Sequence, residues 1–164
     1  MTTIDLIAYI QQCAPRVTPS TMLAIIKTES GGNMLAINVN GKARLLSQPK
    51  NIKQALAWVE YLDKYEYNFD IGLCQVNIRN VRKYGYKPSD MLDPCKNLIV
   101  ASDILYKNYH KVLNNSNSKN YALQKALSAY NTGNYHRGFV NGYVQRVLAN
   151  SMIVVTDKVQ ASRY

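Results

Sequence analysis

The sequence predicts a mainly α-helical fold with a small β-hairpin, an α+β arrangement, and three observations carry that expectation. Apolar residues recur at helical spacing along most of the chain. Two cap-and-proline pairs, Thr18-Pro19 and Asp93-Pro94, mark helix starts. Only residues 36–47, AINVNGKARLLS, alternate apolar and polar side chains, and they do so around Asn40-Gly41, a dipeptide suited to a tight hairpin turn.

Taken in order, a first helix over about residues 3–13 buries Ile4 and Ile7 and ends before Pro15. A second begins after Thr18, carries Met22, Ile25 and Ile26 as its stripe, and stops at Ser30-Gly31-Gly32, where glycine is free to take a left-handed cap. After the hairpin, Gln48-Pro49 opens a helix with Ile52, Leu56 and Val59 inward, and YEYNFD at 65–70 reads as loop. The helix after Asp93-Pro94 carries Leu98, Ala101 and Leu105. LNNSNSKN at 113–120 is a polar loop, and a further helix bears Leu123, Ala126, Leu127 and Tyr130 before Asn131-Thr132-Gly133. A last helix from about Phe139 places Val140, Tyr143 and Val147 on one face, and the chain beyond Ala149 reads as a terminal strand or tail.

The length of 164 residues, 47% of them hydrophobic, suits one domain spanning residues 1–164 with its own core. A net charge of +10 suits an anionic partner: nucleic acid, an acidic membrane surface, or peptidoglycan, whose peptide stems carry free carboxylates. The cations are scattered, from Lys42 and Arg44 to Lys107 and Lys111, with no basic helix and no aromatic-basic motif, so nucleic acid is not expected as a partner. A solubilising surface explains the charge equally well. No apolar run reaches the length of a membrane span, and the start MTTIDLIAYI lacks a basic leader and a small-residue cleavage site. If the protein works outside the cytoplasm, Met1 stands where a leader has been removed.

The three cysteines, Cys13, Cys74 and Cys95, match no zinc spacing, so neither a metal nor another cofactor is expected. One disulfide and one thiol are the natural division. Cys13 with Cys95 is the favoured pair, because Cys74 lies in the apolar stretch GLCQV.

Glu29 is the residue with the most specific chemistry. It falls seven residues after Met22, on the extension of an apolar stripe, where a carboxylate is desolvated, paired with a cation, or turned away by a slip of helix phase. Desolvation and the negative end of the helix dipole would both raise its pKa, as a general acid requires when it protonates a glycosidic oxygen. A helix-end Glu facing water is the plain alternative. GLCQVN at 72–77 sets Gln75 and Asn77 among apolar residues, where amides offer a donor and an acceptor to sugar hydroxyls or N-acetyl groups, though a core-edge Gln is as readily structural. AYNTGN at 129–134 puts Tyr130 on a buried face and Asn131 at a helix end, where Asn is also an ordinary left-handed cap. Tyr143 is either core or a hydroxyl in need of a partner, a catalytic carboxylate being one.

ESGGN, GLCQVN, AYNTGN and YVQRV, in this order, resemble the soluble lytic transglycosylases of lysozyme-like fold. The motifs cover about residues 17–148, and AINVNG, NFDIGLCQVN and DPCKNL resemble most the transglycosylases that accompany type IV secretion and conjugation systems of Gram-negative bacteria. The resemblance implies a periplasmic enzyme acting on peptidoglycan glycan strands, with secretion-system components as partners. It implies Glu29 as the catalytic acid/base, with Gln75, Tyr130 and Asn131 lining the glycan cleft, Tyr143 against the carboxylate and Ser30 at the substrate. Cys74 stands where Met is commoner, and Asp70 where many relatives outside the secretion group have Ser, which leaves the role of Asp70 open.

Glycosidases usually use two carboxylates, yet only one here has a motif. One suffices if the substrate supplies the rest: Glu29 protonates the oxygen between MurNAc and GlcNAc, the N-acetyl group assists, and the MurNAc 6-hydroxyl closes a 1,6-anhydro ring. The rivals are a hydrolysing muramidase in which Asp70 or another nearby acid activates water, and a non-catalytic wall-binding or secretion-assembly module.

Overall fold

Helix starts follow cap chemistry closely in the computed structural model, which describes residues 3–116 and 118–151. α1 runs Thr3–Cys13 and α2 Pro19–Glu29; Thr18 and Pro19 stand at the start of α2 as the sequence predicts. Asp93 accepts from the Lys96 amide at 2.9 Å and opens α5, Pro94–Leu113. The described chain forms two compact units whose boundaries fall directly after α1 and inside α2 and α5.

The first unit takes the described residues up to Cys13 together with Glu29–Ala101. It contains α1, the strands β1 (Ile37–Val39), β2 (Phe69–Ile71) and β3 (Val76–Asn77), α3 (Ile52–Lys64), α4 (Ile78–Lys83) and a 3-10 turn, η1 (Pro88–Leu92). The hairpin expected over residues 36–47 does not form. β1 pairs instead with β2, antiparallel, and β2 with β3, giving a three-stranded sheet of order β1-β2-β3. The outer edge of β1 is held by a side chain: Gln48 accepts from the Ile37 amide at 2.9 Å and donates to its carbonyl at 2.8 Å, taking the place of a fourth strand. Leu46, on the expected second arm of the hairpin, is 99% exposed.

The third helix also differs in start and phase. Asn51 caps α3, accepting from the Gln54 amide, and the inward residues are Ala55, Val59 and Leu62; Ile52 and Leu56 face outward. Ala55 takes the inward place expected for Leu56, a slip of one position, while Val59 is buried as expected. The expected loop YEYNFD ends as strand, since Phe69 and Asp70 belong to β2. Phe69, Ile71, Ile37 and Val76 bury one face of the sheet, with Ile10, Leu73, Met91 and Leu98 in the same unit's core.

The second unit takes Ala14–Thr28 and the described residues from Ser102 onward. Its core is Met22 through Ile26, all buried, with Leu105, Ala122, Ala126, Leu127, Val144 and Val147. α6, Lys119–Thr132, is capped by Ser118 at its start and by left-handed Gly133 at its end. α7, Arg137–Val140, packs on α6 where Gly138 meets Ser128: an added Cβ would lie 2.5 Å from the Ser128 Cα. The last helix is therefore not continuous from Phe139. Asn141-Gly142 breaks it, Asn141 caps the stretch that follows by accepting from the Tyr143 amide at 2.9 Å, and Val140 is 90% exposed. Helix persists past Ala149 to residue 151; the rest of the expected tail, like the side chain of Ile4, lies outside the described residues.

Cys13 and Cys95 form the disulfide, leaving Cys74 as a buried thiol. The bond spans 82 residues, and a loop of that length restricts the unfolded chain by about 4.5 kcal/mol. Replacing both cysteines by serine is expected to lower stability by up to about 4.5 kcal/mol. Urea unfolding of the double variant against oxidised wild type measures it, and coincident curves would contradict the assignment.

Candidate active site

Glu29 is the last residue of α2, half-buried, and follows a run from Met22 to Ile26 in which every side chain is buried. The phase that places it on the extension of Met22, Ile25 and Ile26 is the one observed. Directly after it the Ser30 hydroxyl donates to the Leu73 carbonyl at 2.7 Å and accepts from the Gly32 amide at 3.2 Å. The ESGG turn is thereby tied to the β2–β3 connection, and the Ser30 hydroxyl expected at the substrate is engaged by backbone.

That connection, Gly72 to Gln75, is shaped by two residues. Gly72 has φ +78, and a Cβ there would sit 2.3 Å from the Met91 carbonyl oxygen and 2.5 Å from Asn97 Nδ2, so only glycine fits. Asn97, fully buried, donates to the carbonyls of Ile71 (2.9 Å) and Met91 (3.0 Å) and accepts from the Cys74 amide (2.8 Å). Three backbone groups that a turn would leave unpaired are satisfied by one side chain.

Gln75 takes a left-handed conformation, φ +47, uncommon for a residue with a side chain. Its own amide offsets the strain: Nε2 donates to the carbonyls of Ala36 (3.0 Å) and Gly72 (2.9 Å). Both Nε2 protons are used within the protein, and among the described residues Oε1 has no hydrogen-bond donor, so Gln75 presents an acceptor. Burial, and after it the neighbouring Glu29 carboxylate, push the Cys74 thiol far above its usual range. It is a neutral, compact filler beside the carboxylate.

Asp70 lies at the centre of a polar row across the sheet. Asn38 of β1 and Asn77 of β3 are its register partners, on the face opposite Phe69 and Ile71. Asn77 Nδ2 donates to Oδ1 at 2.7 Å and Asn40 Nδ2 to Oδ2 at 3.0 Å. Burial raises the Asp70 pKa, and the hydrogen bonds from Asn77, Asn40 and Asn38 oppose the rise. The Asn77 Oδ1 caps α4 by accepting from the Arg79 amide, so this side chain is committed at both ends.

Glu29, Ser30, Asp70, Gln75 and Asn77 thus belong to the first unit. Tyr130, Asn131 and Tyr143 belong to the second. There Asn131 lies within α6 and not at its left-handed cap, which is Gly133, and its Oδ1 accepts from Asn141 Nδ2 at 3.0 Å. Tyr130 is half-buried and Tyr143 is 2% exposed. Among the described residues no group of three His, Cys, Asp or Glu converges to hold a metal, and no helix is long and apolar enough to cross a membrane.

The sequence reading passes over Asn97 and Asn38 and takes Asn40 only as a turn residue. Asn97 left one trace, a small amide directly before the core residue Leu98 in DPCKNL; the asparagines left none, because their meaning depends on strand register.

Asn97→Ala removes the partners of three buried backbone groups at about 1–3 kcal/mol each, so a loss of roughly 3–5 kcal/mol is expected in urea unfolding. A change under about 1 kcal/mol would contradict the clamp. Asp70 supplies a pH test. Its folded-state pKa is raised, so the cost of its buried charge is present in full above that pKa and relieved as pH falls through it toward the ordinary carboxylate value of 3.8. Relative to Asp70→Asn, the wild type should gain stability on acidification through that window; a gap between their urea midpoints that stays constant would refute it.

The Transglycosylase SLT domain model matches residues 7–153. A type IV secretion system protein virB1 of Brucella abortus is 40% identical over 147 residues, covering 86% of this chain and 61% of the relative. A protein virB1 of Agrobacterium fabrum is 38% identical over 141 residues, 85% of this chain and 56% of the relative. The chain therefore spans less than two thirds of the length of these relatives. No solved structure matches it. By the extent of the family match and of these identities, the chain belongs to the SLT transglycosylase domain family.

Proposed function

We propose that this protein is a peptidoglycan lytic transglycosylase that cleaves the MurNAc-β-1,4-GlcNAc bond with Glu29 as its only catalytic acid/base, and that both units form one catalytic domain over residues 1–164. The observation that carries the reading is a half-buried glutamate at the end of α2, close to Cys74 in the Gly72–Gln75 connection, which itself carries no acidic residue. Family membership and the span of the match across both units support it.

In the first step protonated Glu29 donates its proton to the glycosidic oxygen as the bond from MurNAc C1 breaks, and the N-acetyl carbonyl oxygen of MurNAc closes on C1. In the second, ionised Glu29 takes the proton of the 6-hydroxyl, O6 bonds to C1, and the N-acetyl group leaves. Glu29 ends protonated, and no water is consumed. A half-buried position serves a group that must be acid and then base near neutral pH. In this reading Gln75 Oε1 accepts from a sugar hydroxyl or N-acetyl N–H, Ser30 and Asn77 hold the loop and Asp70 in place, and Tyr130, Asn131 and Tyr143 of the second unit are glycan-contacting residues.

One relative is named as a type IV secretion system protein, and with it we extend the proposal to a place of action: local opening of the cell wall for a type IV secretion or conjugation system, in the periplasm of a Gram-negative cell. The Cys13–Cys95 disulfide supports an oxidising compartment. Secretion-system components are the proposed partners.

A second reading, hydrolysis with Asp70 activating water, is favoured by one observation: burial makes Asp70 more basic than an ordinary carboxylate. Product chemistry separates the two. Wild type incubated with purified sacculi should release muropeptides ending in 1,6-anhydro-MurNAc, detected by mass, and Glu29→Gln should lose at least about 100-fold in rate. Reducing-end products abolished by Asp70→Asn would establish the hydrolase, and release undiminished in Glu29→Gln would remove Glu29 from the chemistry.

A further inference from the structure

The positive charge is not evenly spread. The described residues of the second unit hold eight Lys and Arg and one acid, Asp103, whereas those of the first hold ten and eight. Asp103 is already shared between Arg16 and Lys107, and residues 104–156 contain neither Asp nor Glu. The sequence reading, which followed cations alone, missed this run without acids.

Within it, the end of α5, the start of α6 and the turn before α7 enclose a cavity of about 340 Å³, lined by Lys111, Lys125, His136, Tyr121, Tyr135 and Asn115, among others. Lys125 Nζ stands 5.0 Å from the centroid of the Tyr121 ring. Among the described residues neither Lys111 nor Lys125 is paired with a carboxylate. Two ammonium groups without a counter-charge among the described residues, set in a concavity with aromatic walls, favour an anion that carries small apolar groups beside its charge. A lipid surface would need no concavity, and a nucleic acid would call for cations spaced along a strip. The volume is at the lower end of small-ligand sites, roughly 300–1,000 Å³, which fits a few amino acids and not a folded partner.

We propose that this cavity is an exosite for the peptide stems of peptidoglycan, Lys111 and Lys125 holding the free stem carboxylates while Tyr121 and Tyr135 cover the stem's methyl and methylene groups. The proposal rests on the peptidoglycan reading above and extends it from the glycan to the part of the polymer that carries its negative charge.

The test compares binding, by co-sedimentation in a Glu29→Gln background, to intact sacculi and to sacculi stripped of stems by an amidase. Intact sacculi should bind more tightly, and Lys111→Gln with Lys125→Gln should weaken that binding roughly three- to tenfold while affinity for stripped strands stays unaltered. High salt should reproduce the loss, and free stem tripeptide should compete. An equal loss on both preparations, as from unspecific charge, or no loss on either, overturns the exosite. Those results leave the glycan chemistry standing; a protein with intact Glu29 that neither binds nor cleaves either preparation would overturn the peptidoglycan reading and the exosite with it.

Discussion

A single buried amide fixes the geometry on which the candidate site depends. Asn97 donates to the Ile71 and Met91 carbonyls and accepts from the Cys74 amide, so that β2, η1 and the β2–β3 connection are held by one side chain on α5. Without it, two carbonyls and one N–H would be left unpaired where water does not reach. Gly72 completes the constraint from the other side, since the approach of Met91 and Asn97 leaves no room for a Cβ. The path from this clamp to the chemistry is short: the connection it holds presents the Leu73 carbonyl, Ser30 binds that carbonyl, and Glu29 is the residue before Ser30.

The surroundings of Glu29 suit a carboxylate that gives up a proton and takes one back. Cys74 is a neutral thiol, so it brings no second charge, and Gln75 holds a strained turn with its Nε2 while its Oε1 remains an acceptor. Asp70 is built differently, with each carboxylate oxygen receiving an asparagine amide within a row that crosses all three strands. One carboxylate is placed at a helix end and the other is immobilised in a sheet, a division that agrees with one acid/base and one organising residue.

Much of this was legible in the sequence because it follows from local rules. Thr18-Pro19 and Asp93-Pro94 mark real helix starts, the phase from Met22 to Glu29 holds over two turns, and the apolar setting of Cys74 separated it from the disulfide pair. The failures are non-local. The residues around Asn40-Gly41 alternate as a hairpin should, yet β1 finds its partner at Phe69–Ile71, thirty-odd residues on, and the Gln48 side chain takes the edge the second arm would have filled. Val140 continues a helical pattern that Asn141-Gly142 interrupts. The Asp70 row and the role of Asn97 emerge only when strands and helix are brought together, and the run without acids beyond Asp103 was visible throughout to a reading that weighed missing charges as well as present ones.

In the proposed transglycosylase, the Asn97 clamp positions Glu29 through the Ser30–Leu73 bond. A double-mutant cycle on the turnover of sacculi, with Ser30→Ala, Asn97→Ser and the pair, measures this directly. Each single substitution should lower kcat with little change in KM, and the pair should lose scarcely more than the worse single variant, a coupling of at least about 0.5 kcal/mol. Losses that simply add would show that the two residues act independently and that the clamp does not position Glu29.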